Sequence, residues 1–148
     1  MAMRKIHCYT SEKHPEALSV LGESVTVFGA GDLSKPFEMH LQKGNKGGGP
    51  PPHHHPWDEA FYVLKGEVAL TVNDETHTLS AGGFVHIPGG TVHAYENLTD
   101  DAELLAAVSD PRGGLNFQDI DEAVQSLPED LPKVIEIGEK YGVVFLKP

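Results

Sequence analysis

Three histidines and one glutamate, on two short segments of the chain, have side chains of the types that bind divalent transition metals. His53, His55 and Glu59 lie in the first segment, and His93 lies in the second. Three imidazole nitrogens and a carboxylate oxygen form a mixed ligand set that is compatible with iron, manganese, nickel, cobalt, copper or zinc. The sequence therefore predicts a site for one divalent metal, and the order of affinities alone does not identify the ion.

The spacing of the histidines strengthens this prediction. His53 and His55 are two residues apart, so on an extended strand their side chains point to the same face, whereas His54 points to the other. A single histidine in a strand is more often a hydrogen-bonded polar residue than a ligand, and three consecutive histidines beside prolines also fit a solvated segment. The combination with His93 favours metal ligation. The remaining histidines fit no ligand spacing and are predicted to be structural or on the surface: His7, His14, His40, His77 and His86.

Two motifs enclose the four candidate ligands. The first reads G-x5-H-x-H-x3-E-x6-G from Gly47 to Gly66, and the second reads G-x5-P-x-G-x2-H-x3-N from Gly82 to Asn97. At every defining position of both motifs the chain resembles a cupin. The spacer of fifteen residues between them is similar to that of small single-domain bacterial cupins. The wording HPWDEAFYVLKGEVALTV and HIPGGTVHAYEN further resembles the quercetin dioxygenase-like subgroup.

The resemblance carries implications that the residues alone do not. Pro56 and Trp57 interrupt the strand before Glu59, so alternation cannot place this carboxylate, and the cupin pattern implies that it is the fourth ligand. The pattern also implies a double-stranded β-helix, that is, a jelly-roll barrel. A metal-dependent oxidoreductase of the dioxygenase type and a homodimer are further implications.

Strand-length runs of β-branched and aromatic residues dominate the middle of the chain. They are SVTVFG, FEMHLQ, EAFYVL, EVALTV, THTLS, GFVHIP, TVHAYEN and AELLAAVS. Lys65-Gly66 and Asn73-Asp74 are placed where tight hairpin turns are expected. The loop 43–52, rich in glycine and proline, fits either a flexible linker or a mobile rim over the barrel mouth. These features predict an all-β antiparallel barrel or jelly roll.

The two ends of the chain differ from this barrel region. We predict an N-terminal arm over residues 1–22, available for a dimer contact, a barrel over 23–110 and a helical C-terminal tail over 111–148 of the same single domain. DIDEAVQSL and LPKVIEIGEKYG are predicted helices, with Asp119 as the cap of the first. The closing VVFLKP is apolar and could add an edge strand.

Alternation also selects candidates for a substrate pocket. Phe61 has the same parity as Glu59, and Tyr95 has the same parity as His93, so both are predicted to face the lumen. Met39 is a third candidate, from the preceding strand. Core packing also explains each of them, because small barrels fill their interiors with side chains. Tyr95 is the one with chemical reach, since its phenol can hydrogen-bond an oxygen near the metal.

Composition limits the partners of the protein. The 148 residues fit one domain, and a net charge of −11 without a basic cluster argues against binding to nucleic acid. Cys8 is the single cysteine, so no intramolecular disulfide can form, and the first residues lack the apolar run of a secretion signal. No stretch has the roughly 20 apolar residues of a membrane span. We therefore expect a cytoplasmic protein whose partner is a small molecule.

Two classes of function agree with these observations. The first is a metal-dependent enzyme that resembles quercetin dioxygenases. In such an enzyme a small chelating hydroxy-carbonyl or enolisable substrate would lose a proton to Glu59 or to a bound hydroxide, and the electron-rich enolate would react with dioxygen. A non-oxidative isomerase or lyase would need only a Lewis acid and a base. The second class is a metal-containing barrel that binds a small ligand without turnover. Fold alone does not choose among these reactions.

Overall fold

The computed structural model describes residues 3–146 of the protein. Within that range the elements follow in chain order: β1 (Leu18–Val20), β2 (Glu23–Phe28), β3 (Glu38–Gly44), β4 (His53–His54), β5 (Glu59–Lys65), β6 (Glu67–Val72), β7 (Glu75–Ser80), β8 (Phe84–Ile87), β9 (His93–Asn97), β10 (Ala102–Val108), α1 (Arg112–Ala123), α2 (Leu131–Tyr141) and β11 (Val144–Phe145). Strands thus dominate the fold, and both helices follow the last long strand.

The strands form two antiparallel sheets. The first has the order β1-β2-β3-β10-β5-β8, and the second has the order β11-β4-β9-β6-β7. The main core lies between them, because its buried side chains come from both sheets: Phe61, Val63, Val68, Leu70, Ile87, Tyr95, Ala102, Leu104 and Ala106. The predicted all-β jelly roll with a helical C-terminal appendage is confirmed.

Two turns predicted from the sequence differ in their role. Asn73 has a φ of 53° and lies in the tight turn between the paired strands β6 and β7, as predicted for a hairpin. Lys65-Gly66 does not form a hairpin, because β5 and β6 belong to different sheets. Gly66 has a φ of 81°, and a Cβ there would lie 2.4 Å from the Thr99 hydroxyl oxygen. Glycine therefore allows a sharp corner between the sheets rather than a hairpin.

The first C-terminal helix starts earlier than the sequence predicts. Helix α1 begins at Arg112, so Asp119 lies inside it instead of capping it. Two consecutive glycines, Gly113 and Gly114, disfavour a helix locally, but both are buried where the first turn packs on the barrel. Helix α2 begins at Leu131 as predicted and ends at Tyr141, and the next residue, Gly142, has a φ of 90°, the left-handed conformation that commonly follows a helix.

The N- and C-terminal segments pack together against the barrel. A second buried cluster joins β1 and β2 to both helices through Val20, Val25, Val27, Ile120 and Val134. Strand β1 lies within the predicted arm 1–22 but pairs along its whole length with β2. Strand β11 pairs with β4, which confirms the edge strand expected from the closing residues. Neither helix in residues 3–146 has the length and apolar character needed to cross a bilayer.

Candidate metal centre

The three candidate histidines come together where β4 meets β9. His53 is the first residue of β4 and pairs directly with His93, the first residue of β9, with 4.3 Å between ring centroids. His55 follows β4, and its ring centroid lies 5.0 Å from that of His93. One ring nitrogen from each histidine lies within 4.8 Å of the others, and all three residues are buried. This geometry is able to hold a divalent metal ion.

A backbone carbonyl orients each of these rings. The Nδ1 atoms of His53, His55 and His93 lie 2.8 Å from the carbonyl oxygen of Pro51, 3.0 Å from that of Trp57 and 2.9 Å from that of Thr91. In each case the partner carbonyl is two residues away along the chain. A carbonyl only accepts, so Nδ1 must carry the proton, which leaves the lone pair of each neutral ring on Nε2.

The Nε2 atoms behave as ligand atoms would. Those of His55 and His93 are fully buried, and neither has a hydrogen-bond partner within the described part of the chain. A buried polar nitrogen without a partner costs about 1–3 kcal/mol, a cost that a coordinated cation removes. The three rings therefore fit a metal site: their tautomers leave Nε2 able to bind an ion, and a backbone carbonyl behind each ring fixes its orientation.

Glu59 brings a carboxylate to the same point from the other sheet. It is the first residue of β5, and its side chain reaches the space beside β4 and β9. One carboxylate oxygen lies 3.4 Å from His55 Nε2, and the other lies 3.7 Å from His93 Nε2. Ligand atoms bonded to one ion at about 2.0–2.2 Å are separated from each other by roughly 3–3.5 Å. The carboxylate is therefore close to the separation that four ligands of one cation require.

Burial and mutual charge shift the pKa values of this group. Burial alone would raise the pKa of Glu59, but the imidazoles of His55 and His93 outweigh it and hold the pKa below its usual range. Burial, with a smaller contribution from His93, lowers the pKa of His53 to about 4. Burial opposes protonation of His93 as well, yet the Glu59 carboxylate raises its pKa. At neutral pH the centre thus contains a carboxylate and a neutral His53.

Trp57 packs directly against the centre. Its ring stacks on His55 with 4.6 Å between centroids and an angle of 11° between planes. The guanidinium of Arg112, at the start of α1, lies 5.4 Å from the centroid of the Trp57 ring. Trp57 thus connects the centre to the start of the C-terminal tail through contacts with one ligand ring and one cation.

The centre opens inward onto a pocket between the sheets, here called the central cavity. Its apolar wall includes Phe61, Val108, Phe117, Ile120, Val143 and Phe145. Its polar groups, besides His53, His55 and Glu59, are Glu23, His40, Gln42, Tyr95 and Asn116. Helix α1 and strand β11 supply part of the wall, so the tail beyond the barrel takes part in forming the cavity.

Two of the three predicted pocket residues line the central cavity. Phe61 and Tyr95 line the central cavity, whereas Met39 does not. On β3 the buried positions are Glu38, His40 and Gln42, and Met39 faces the opposite side of the sheet. Met39 was a candidate only by its place on the preceding strand, and its parity on β3 puts it on the face turned away from the cavity. The Tyr95 hydroxyl donates a hydrogen bond of 2.8 Å to the Gln42 side-chain oxygen, and burial raises the pKa of Tyr95 well above its ordinary value.

Sequence reasoning gave no functional role to His40. This histidine is 1% exposed, lines the cavity, and has its Nε2 2.7 Å from a carboxylate oxygen of Glu38. The available signal was the alternation Glu38, His40, Gln42, three polar residues with the parity of one strand face.

Comparisons with known proteins agree with this architecture. Residues 37–108 match the family model described as the Cupin domain. An uncharacterized protein of Streptomyces coelicolor is 33% identical over 54 residues, which are 36% of this chain and 51% of that protein. The chain thus spans about half the length of the curated relative that it matches.

Two solved structures have the same fold. KdgF from Halomonas sp. superposes with a TM-score of 0.62 at 21% identity, over 69% of this chain and 91% of that one. Pac13 of Streptomyces, a nucleoside dehydratase, superposes with a TM-score of 0.59 at 20% identity, over 72% of this chain and 83% of that one. At these identities the likeness concerns the fold alone.

Proposed function

The chain belongs to the cupin superfamily, and from this premise we propose that it is a metal-dependent enzyme acting on a small chelating hydroxy-carbonyl or enolisable compound. Dioxygenase-like chemistry is the first candidate reaction. One observation carries the proposal: three imidazoles have Nδ1 hydrogen-bonded to carbonyl oxygens, and one nitrogen from each ring converges within 4.8 Å of the others, beside the carboxylate of Glu59.

We propose that His53, His55, Glu59 and His93 hold the ion. A divalent transition metal there supplies Lewis acidity toward the oxygen atoms of a chelating substrate and, if it is redox-active, reactivity with dioxygen. The carbonyls behind the three rings keep the ligands in place, so little reorganisation is needed on binding. The donor set leaves the identity of the metal open among iron, manganese, nickel, cobalt, copper and zinc.

The protein groups around the site have separate roles in this proposal. Glu59 is a carboxylate at neutral pH, the form that can accept a proton from an acidic C–H or O–H of the substrate. Phe61 and Tyr95 form the wall beyond it and limit the size of the substrate. The Tyr95 phenol is hydrogen-bonded to Gln42, and the pKa of Tyr95 is raised. Tyr95 therefore acts as a neutral hydrogen-bonding group rather than a base.

A second candidate, a non-oxidative isomerase or lyase, is supported by Glu23. This carboxyl group lines the cavity, and one of its oxygens is buried without a hydrogen-bond partner among the described residues. Burial raises its pKa against the smaller opposing effect of the hydrogen bond that Asn97 donates to it. Two carboxyl groups with pKa values moved in opposite directions, here Glu23 and Glu59, form an acid and base pair suited to proton transfer. The dehydratase activity named for Pac13 belongs to this class.

A homodimer is also proposed. Three large apolar side chains are exposed on the outer side of β5 and β8: Tyr62, Leu64 and Phe84. Tyr62 and Phe84 are direct neighbours across the two strands. A second copy of the chain would remove this apolar surface from water.

Metal content and oxygen uptake test the proposal together. The protein is expressed without a histidine tag and without added metal, and the metal per chain is measured by mass spectrometry. A near-stoichiometric redox-active metal, with oxygen uptake that depends on a chelating hydroxy-carbonyl, supports the dioxygenase. Zinc with proton exchange or isomerisation and no oxygen uptake supports the second candidate, and tight retention of a ligand without product indicates a binding protein. A site that stays empty after metals are supplied defeats the proposal.

A further inference from the structure

The inner face of β3 presents polar side chains to the centre of the barrel. Glu38, His40 and Gln42 are buried, and the first two are each only 1% exposed. Burial of a charged or polar pair in a protein interior usually costs free energy relative to an apolar pair of the same shape. Packing alone therefore gives no reason for Glu38 and His40 at these positions.

Glu38 is held from two sides. One carboxylate oxygen accepts a hydrogen bond of 2.8 Å from the Lys35 ammonium group, and the other lies 2.7 Å from His40 Nε2. Lys35 also donates a hydrogen bond of 2.8 Å to the carbonyl oxygen of Phe28. The Lys35 ammonium group and the His40 ring thereby fix the position of the Glu38 carboxylate, and a carboxylate opposite Nε2 requires a proton on that nitrogen.

The other nitrogen of His40 is left free. Its Nδ1 is fully buried and has no hydrogen-bond partner in residues 3–146. The ring packs edge-on against Phe117, with 5.1 Å between centroids, and the residue lines the central cavity. Glu38 and His40 thus present a nitrogen of defined protonation to the same cavity that the metal centre faces.

Helix α1 adds a second unpartnered group. Asn116 is 4% exposed, lines the cavity, and its amide oxygen is buried without a partner in the described range. The residue after it, Phe117, is the one that packs on His40. The free polar atoms of β3 and α1 therefore belong to one wall of the cavity.

We propose that His40, oriented by Glu38, and Asn116 form a subsite in the central cavity that binds a hydroxyl group of the substrate. A hydroxyl has one proton, which it can donate to His40 Nδ1, and it can accept a hydrogen bond from the NH2 group of Asn116 once the amide is turned over so that its nitrogen takes the place of the buried oxygen. One hydroxyl then satisfies both side chains. This subsite rests on the proposed function. It narrows the substrate class to hydroxy acids or hydroxy-carbonyl compounds with at least one hydroxyl beyond the two oxygen atoms that chelate the metal. His40 and Asn116 are then specificity-determining residues.

Matched pairs of acids test this subsite. Glycerate is compared with lactate, and gluconate with 2-hydroxyhexanoate, because both members of each pair carry an α-hydroxy acid and only the first carries further hydroxyls. Dissociation constants are measured by calorimetry on the zinc-loaded protein. One satisfied hydrogen bond predicts that the hydroxylated member of at least one pair binds about fivefold more tightly. Equal affinities within both pairs would overturn the proposal.

Variants identify the residues responsible. In Asn116→Leu, which leaves Glu38 and His40 intact, the affinity ratio is expected to fall to about one while the deoxy acid binds as before. His40→Phe should have the same effect. If the loss of His40 leaves Glu38 unpaired and unfolds the protein, the result for Asn116→Leu alone decides the test. His77→Gln, on an exposed side chain of β7, is the control and should keep the ratio. A ratio unchanged in Asn116→Leu contradicts the subsite.

The failure of this subsite differs from failure of the metal site. If zinc binds and the two acids of each pair bind equally, the metal proposal stands and the subsite is wrong. If no zinc binds, the metal proposal is wrong, and the same pairs are titrated into the metal-free protein. A preference for the hydroxylated acid that Asn116→Leu abolishes then supports the subsite, and the lack of such a preference overturns it.

Discussion

Phe145 lies directly opposite His53 in the antiparallel pair of β11 and β4, with 5.7 Å between the two ring centroids. The neighbouring amide of Leu146 donates a hydrogen bond of 3.0 Å to the carbonyl oxygen of Pro52. Strand β11 therefore supports the strand that carries the first candidate ligand, and the tail beyond the barrel takes part in the candidate metal site.

Replacement of Phe145 tests this support. Phe145→Ala removes a partly buried ring that packs in two apolar clusters, and we expect it to lower the free energy of unfolding by about 2–3 kcal/mol. It should also weaken metal binding, because His53 loses its neighbour. Chemical denaturation and metal titration measure the two effects. Val144→Ala, on the exposed neighbour, is the matched control, and equal effects of both variants would show that the ring contact is unimportant.

The ligand assignment makes a prediction for the consecutive histidines. His53→Ala and His93→Ala should each lose most of the bound metal, because each removes a nitrogen from a cluster whose members lie within 4.8 Å. His54→Ala should retain it, since His54 lies between the ligands on the opposite face of β4. Metal content per chain after dialysis measures the difference. Equal losses in all three variants would contradict the assignment of faces.

The sequence was informative where a spacing has a geometric meaning. The two-residue separation of His53 and His55 predicts a shared side of the chain, and the structure brings both together with His93. The same alternation groups Glu38, His40 and Gln42, but it does not say which face is inside. Met39 was a pocket candidate without any such face assignment, and the inner face of β3 carries Glu38, His40 and Gln42 instead.

Helix α1 shows a second limit of sequence reasoning. Gly113 and Gly114 each disfavour a helix by about 1 kcal/mol relative to alanine, so local propensity placed the start of the helix seven residues too late. The deciding interaction is tertiary, since the first turn lies against Glu38, Val27 and Trp57 from distant parts of the chain. Neither that contact nor the role of Asn116 in the cavity wall has a signal in the local sequence.

The lowered pKa of His53 predicts a pH dependence of stability in the metal-free protein. Between its ordinary value of 6.5 and its folded value of about 4, the unfolded chain binds more protons than the folded protein. The contribution of neutral His53 to the free energy of unfolding is therefore complete above pH 6.5. It is lost as the pH falls toward 4, by roughly 3 kcal/mol in total. Denaturant unfolding at several pH values in the presence of a chelator measures it.

The control for this pH dependence is His53→Gln, which keeps a polar side chain but cannot titrate. The raised pKa of His93 contributes in the opposite direction, since that contribution is lost as the pH rises above 6.5. Both proteins contain His93, so the difference between them isolates His53. Parallel stability curves from pH 7 to pH 4 would show that burial of His53 is not coupled to folding.

The two glycines at the start of α1 predict opposite effects for the same substitution. A Cβ at Gly114 would lie 2.2 Å from a Glu38 carboxylate oxygen and 2.9 Å from a Val27 methyl group, so Gly114→Ala must displace the helix or the buried Glu38. We expect a loss of about 1–3 kcal/mol in the free energy of unfolding. At Gly113 the nearest atom, His40 Cε1, is 3.5 Å away, which is ordinary contact. Gly113→Ala should therefore be neutral or stabilise the protein by up to about 1 kcal/mol through helix propensity.

Thermal or denaturant unfolding of the two variants measures the contrast. A Gly114→Ala protein as stable as Gly113→Ala would mean that α1 does not pack on Glu38 as closely as the structure shows, and that the polar wall of the cavity is looser than its hydrogen bonds imply.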